Sequence, residues 1–160
     1  MMIKVRKAID SEVANIANLS NEIIEDLGRK GHADYFGGVD TDEVREAMEE
    51  NSTTFVAVNE KGTIVGFLLA LKRDFSYCIN GYGVHPEYQG KGIAKMLMKT
   101  AESYAIDNGV KILDGTVHPD NIASRKALQS VGKCYFEGEE VVHHMKDGRT
   151  LRRRPFMIEL

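Results

Sequence analysis

The residues with the clearest chemical use lie in one run, Val84-His85-Pro86-Glu87-Tyr88-Gln89-Gly90-Lys91-Gly92-Ile93-Ala94. The run leaves a strand-like segment and enters a strong helix pattern, which puts a glycine-bearing loop at a helix N-terminus. Backbone amides there have no partner in the helix, and the helix dipole favours negative charge. Glycines let an anion approach closely, so the junction suits a phosphate. Two common nucleotide loops do not fit. A P-loop needs Ser or Thr after its lysine, but Gly92 follows Lys91; a dinucleotide fingerprint counted from Gly90 needs glycine where Lys95 stands. What remains is Gln89-x-x-Gly92-x-Ala94 after Val84-x-Pro86, with a plain glycine-rich turn as the alternative.

A second junction has the same design. Thr116-Val117-His118-Pro119-Asp120-Asn121-Ile122-Ala123-Ser124 follows another strand-like run and opens another helix pattern, which closes at Gly132. Asp120 or Asn121 would cap that helix by accepting from its exposed amides.

At these two junctions the chain resembles the GCN5-related N-acetyltransferase family, whose acyl-CoA loop reads Gln or Arg, two residues, Gly, one residue, Gly or Ala. The resemblance runs from about Ile3 to Leu160, with its specific motifs at the junctions. It implies acetyl-CoA as cosubstrate, no metal, and a primary amine of a small molecule or peptide as acceptor. The amides of Gln89, Gly90, Lys91, Gly92, Ile93 and Ala94 would hold the pyrophosphate, with Lys91 and Lys95 adding charge. Gly83 and Val84 would pair with the pantetheine arm as a strand does, and Asn121 and Ser124 match the positions that contact it. Many members place a proton-donating tyrosine seven residues after that asparagine; here the position is Leu128. That departure leaves water or Tyr135 to protonate the thiolate, or leaves catalysis impaired.

Acyl transfer from a thioester needs a deprotonated amine, a supported oxyanion and a proton for the leaving group. The sequence offers a strand amide near Tyr82 for the oxyanion and His118, Asp114 and Tyr82 as candidate bases. Histidine is apt because its ordinary pKa lies near neutrality, but for any single histidine a capping or surface role is the stronger reading, and a water-relayed base is the default. Cys78 lacks a basic activator in the sequence, so direct attack is favoured over a covalent relay. His143 and His144 are adjacent strand residues that point to opposite faces, which is not metal-ligand spacing.

These residues need elements to hold them. At 160 residues the chain has the length for one domain with a real core, spanning 1–160. Residues 3–8 read as a strand, and Asp10 caps an amphipathic helix that stops at Gly28. Asp40 with Glu43 starts a second helix ending near Asn51. Runs at 53–58 and 63–71 form a hairpin, and 76–84 a strand whose Gly81 and Gly83 mark a bulge or close approach. A helix at 90–108, a strand at 111–118, a helix at 121–131 and a final hairpin of 135–145 with 149–160 complete the chain. The fold class is α/β (α+β), β-α-α-β-β-β-α-β-α-β-β: a mixed, mostly antiparallel sheet of about seven strands with four helices on both faces. Bulges at Gly81 and Gly83 would splay the third hairpin strand from its neighbour and open a slot.

The loop at 28–39 carries His32, Tyr35 and Phe36 among glycines and reads as a flexible lid over the acceptor. Glu139, Glu140 and His143 on the last hairpin would form the opposite wall, suiting a cationic amine; an ordinary exposed loop and hairpin weigh evenly against this. The net charge of −3 makes nucleic acid an unlikely partner. An acidic stretch at 40–50 and a basic end, Lys146, Arg149 and Arg152 to Arg154, read as solvated faces. No apolar run is long enough to span a membrane, no secretory leader is visible, and Cys78 and Cys134 read as reduced thiols, so a cytoplasmic setting is expected. A homodimer stays open. Two other readings stay open as well: a CoA-binding sensor with little turnover, motivated by Leu128, and an RNA- or protein-interaction module using Arg152 to Arg154.

Overall fold

The computed structural model describes residues 2–160. Two apolar hairpin strands, β2 (Thr53–Val58) and β3 (Ile64–Lys72), form its centre. Strand β2 is buried along its whole length because both sheet faces are covered. Phe55 and Ala57 face one core and Val56 and Val58 the other. The first core packs α3 (Ile93–Asp107) and α4 (Ile122–Leu128); the second packs α1 (Val13–Arg29) and α2 (Thr41–Glu46).

The remaining strands are β1 (Lys4–Lys7), β4 (Tyr77–Val84), β5 (Ile112–Val117), β6 (Lys133–Tyr135), β7 (Val141–His144) and β8 (Thr150–Glu159). The sheet runs β1-β2-β3-β4-β5-β8-β6, with β7 paired to β8 off this path. All neighbours are antiparallel except β4 and β5, which are parallel and pair only at Tyr77↔Leu113 and Cys78↔Asp114. Beyond that the two strands part. Against β3, Asn80 and Gly81 share the place opposite Leu69, a bulge that Gly81 permits at φ 104°. A Cβ on Gly115 would lie 2.9 Å from the Ile79 carbonyl oxygen, so the strands touch there before separating. The expected slot is present.

Several expected boundaries move. The strands number eight, because 135–145 is not one strand: β6 pairs with the end of β8, the chain loops through Gly138, and β7 pairs with its start. Asp10 is not a helix cap. Residues Asp10–Glu12 make a 3-10 turn in which the Glu12 carboxylate accepts from the Ile9 amide at 2.9 Å. The Asp40–Glu43 capping box forms as expected, but α2 ends at Glu46. The Thr54 hydroxyl takes the Ala47 carbonyl and draws the chain into β2. Helix α3 starts at Ile93 rather than Gly90, and α4 ends at Leu128 rather than Val131.

Candidate active site

The loop before α3 is built around two left-handed glycines, Gly90 at φ 76° and Gly92 at φ 82°. The Gln89 amide side chain donates to the Val84 carbonyl at 3.0 Å and fixes the loop to the end of β4. The first bond of the α3 ladder runs from Met96 N–H to Gly92 O at 3.1 Å. The amides from Gly90 to Lys95 therefore have no partner among the described residues. Space beside Gly90 and Gly92 is open, with nothing within 4 Å of where a Cβ would stand. Unpaired amides, a helix N-terminus and open space on one side together fit a pyrophosphate.

The loop opens into a cleft of about 850 Å³ that follows the parting of β4 and β5. The His85 amide donates to Val65 O on β3, so strand alternation turns the amides of Tyr82 and Val84 toward the cleft. At Gly83 the close approach is to α1: a Cβ there would meet Ile23 Cδ1 at 2.6 Å, so glycine lets that helix pack close. Across the cleft, Asn121 caps α4 by accepting from the Ser124 amide at 3.2 Å, leaving its NH2 group uncommitted. The Tyr82 hydroxyl donates to the Ser124 carbonyl at 3.0 Å and touches the Ser124 hydroxyl. Of the residues expected at the cofactor, Gly83, Val84, Gln89, Gly90, Gly92, Ile93, Ala94, Asn121 and Ser124 all line this cleft. Lys91 does not; its ammonium lies 5.9 Å over the Tyr88 ring, while Lys95 and Lys126 line the cleft instead.

The expected catalytic groups are mostly elsewhere. Tyr82 alone of the four lines the cleft, and burial pushes its phenol up to about 12, too high for a base. Asp114 sits at the closed end where β4 and β5 still pair. Tyr135, at the end of β6, is outside the lining. His118 is buried with both nitrogens engaged: Nδ1 accepts from the Asp120 amide at 3.0 Å, so Nε2–H donates to Asp34 at 2.8 Å. It fastens the second junction to the loop before α2. Leu128 is wholly buried in the core of α3 and α4 rather than on the cleft wall. Cys78 and Cys134 are half-buried, and burial raises both thiols.

At the end where the acceptor was expected, the loop read as a flexible lid is tied down by hydrogen bonds from Arg149 and Arg153. Tyr35 and Phe36 line the cleft as expected. Arg149 donates to the carbonyls of Ala33, Phe36 and Gly37 at 2.8, 2.6 and 2.9 Å. The Tyr35 hydroxyl donates to Asp120 O at 3.3 Å, its ring stacks on His32 at 4.3 Å, and His118 lies 4.6 Å away on the other side. Glu140 and His143 do not form the opposite wall. Strand β7 is exposed throughout, and Glu140 pairs with Arg152 at 2.8 Å on the outside. That pair also breaks up the arginine cluster, because Arg153 turns inward onto Thr116 and Tyr35. His32, named in the loop over the acceptor, lines the cleft too; Lys30, Thr116 and Arg153 also line it and were missed as site residues. For Arg153 a signal existed: it shares a strand face with Leu151, not with Arg152 and Arg154.

Among the described residues no helix is long and apolar enough to cross a membrane, and no cluster of His, Cys, Asp and Glu has the geometry of a metal site. Comparison with known proteins bears on what such a cleft serves. The Acetyltransferase (GNAT) family matches residues 20–132, a span that includes both junctions. The aminoglycoside N(6')-acetyltransferase type 1 of Salmonella typhimurium is 26% identical over 125 residues, covering 72% of this chain and 83% of that protein. The streptothricin acetyltransferase of Streptomyces lavendulae is 33% identical over 75 residues; the match spans 46% of this chain and 40% of that protein. Among solved structures, the ribosomal-protein-S18-alanine N-acetyltransferase of Escherichia coli shares the fold at TM-score 0.75 and 13% identity, over 99% of this chain and 94% of that one. The structure of yncA from Salmonella typhimurium with its cofactor acetyl-CoA does so at TM-score 0.73 and 21% identity, over 99% and 94%. With the family match covering well over half its length and centred on the loop and cleft, the chain belongs to the GNAT acetyltransferase family.

Proposed function

We propose that the chain moves an acetyl group from acetyl-CoA to a primary amine by direct attack. The observation that carries this reading is the row of unpaired amides from Gly90 to Lys95 at the mouth of the slot between β4 and β5. Acetyl-CoA supplies the activated thioester. The loop amides, Lys95 and Lys126 bind its phosphates, and the inward amides of Tyr82 and Val84 orient the arm and support the oxyanion. Asn121 keeps a free NH2 group for the same arm. His32 accepts the amine's proton, because it lines the cleft and its ring nitrogens have no partner among the described residues. Tyr82 does not donate to the thiolate. Its hydroxyl is engaged by Ser124 and burial raises the phenol, so the thiolate, a fair leaving group, departs as the anion and takes its proton from bulk solvent after transfer. A relay through Cys78 is disfavoured, since burial raises that thiol at the closed end of the slot. The curated relatives that acetylate an aminoglycoside or streptothricin support an amine acceptor in general.

Leu128, buried where the family's tyrosine is expected, leaves α4 with no tyrosine on the cleft, which favours one second reading, a CoA-binding sensor with little turnover. Two measurements decide. CoA should raise the melting temperature of the wild type and not of Gly92→Asp, which sets a negative charge against the phosphates while aspartate tolerates the left-handed backbone. Thiol release with a broad amine panel should then show turnover. CoA stabilisation that persists in folded Gly92→Asp sinks the loop assignment; CoA binding with no turnover on any amine leaves the sensor.

A further inference from the structure

The acceptor end of the cleft carries a charge that transfer chemistry does not use. Arg149, Arg152, Arg153 and Arg154 lie on β8 and the turn before it. Arg149 has Asp147 at 2.7 Å, and Arg152 has Glu140 at 2.8 Å and Asp120 at 3.7 Å. Arg154 is exposed and solvated. Arg153 is drawn into the cleft wall, and no carboxylate among the described residues lies within ion-pair distance of it. Its Nε donates to Thr116 Oγ1 at 3.2 Å, one Nη to Thr116 O at 2.8 Å and the other to Tyr35 O at 3.2 Å. Those acceptors are neutral and leave two of the guanidinium's N–H groups unplaced. Asp34 acts on Arg153 only from beyond ion-pair distance and spends an oxygen on His118. A cation withdrawn from water without a contacting counter-charge is costly unless a ligand supplies one.

The rest of the lining agrees. Lys30 and His32 lie at the same end, and none of the residues lining the cleft is Asp or Glu. Composition does not explain this, because acidic residues outnumber basic ones, 24 to 21. Ile79, Phe36 and Phe156 add apolar surface to the lining of the same cleft.

We infer that the acceptor is an amine that also carries a carboxylate, of the amino-acid type with an apolar body, and that Arg153 binds this carboxylate through its unplaced N–H groups. The inference rests on the acetyltransferase reading for the amine and on Arg153 alone for the carboxylate. It sets this chain apart from its relatives that acetylate an aminoglycoside or streptothricin. A polycation meets Lys30 and Arg153 here with no acidic residue to receive it. Cationic neighbours also favour the neutral, nucleophilic form of the amine.

The test pairs each apolar L-amino acid with the amine lacking its carboxylate, and adds kanamycin as a polycation. Binding to the CoA-loaded protein is measured by calorimetry and turnover by thiol release. An amino acid should bind at least 100-fold more tightly than its decarboxylated partner. Arg153→Gln should erase that ratio, and Arg153→Lys should keep part of it, both with unchanged CoA affinity as proof of folding. Equal binding of the paired amines, preference for kanamycin, or a ratio that survives in Arg153→Gln overturns the proposal. Carboxylate-selective binding without turnover upholds it while overturning the acetyltransferase reading.

Discussion

At the scale of single residues, burial decides which side chains can act. Leu128 stands where many relatives are expected to hold a proton-donating tyrosine, yet it is enclosed in the core. Leu128→Tyr adds volume and a hydroxyl to a filled site, which costs about 1–3 kcal/mol. For a chain of this length that is a fall in melting temperature of about 2–12 °C. Turnover should not rise, since the added phenol does not reach the cleft; a gain in turnover with the melting temperature unchanged would show that position 128 does face the thioester. The cofactor loop was legible because its glycines, helix start and flanking strand are all local features. Tyr82, His118 and Asp114 were drawn from the correct strands, but their roles depend on partners 42 and 84 positions away in the first two cases. No spacing rule encodes such partners. Arg153 was hidden by its neighbours: three arginines in a row read as a solvated patch until the strand's alternation sends the middle one inward.

At the scale of elements, the order of strands and helices was readable from apolar periodicity, and the slot from Gly81. The last hairpin was misread because β7 is exposed at every position and carries no burial pattern. The loop at 31–38 was misread for a different reason. Glycines suggest freedom, but its order comes from β8, through Arg149 and Arg153, and from Asp34 on His118. Arg149→Met should remove the carbonyl clamp while keeping most of the stem's packing. Losing hydrogen bonds from a charged donor at this one site should lower the loop's opening free energy by about 2 kcal/mol. Amide exchange in residues 33–37 should then speed up about 30-fold, with acceptor KM raised and CoA affinity unchanged. Unchanged exchange in that segment would mean that the loop holds itself.

At the scale of the whole molecule, two cores on opposite faces of one sheet supply the stability, and β1 at its edge is tied to α1 by charge. Arg6 on β1 donates to both Glu12 carboxylate oxygens at 2.8 Å, and Glu12 also accepts from the Ile9 amide. The Arg6 guanidinium holds the Glu12 carboxyl below its usual range against the opposing effect of burial. A carboxyl depressed in the folded state stabilises it above the unfolded pKa, near 4.3, and loses that contribution as pH falls through the folded value. Glu43 works the other way. Burial raises its carboxyl, so protonation on acidification favours the folded chain and partly offsets the loss. Arg6 stays partly exposed, so water screens the pair and its net contribution is about 1 kcal/mol. Glu12→Gln should therefore be less stable than the wild type by about that amount at pH 7 in urea unfolding. The two unfolding curves should converge as pH falls below about 4, where the wild-type carboxyl is also protonated. A gap that stays constant down to pH 2 would assign the loss to packing at the start of α1 and not to the charge on Glu12.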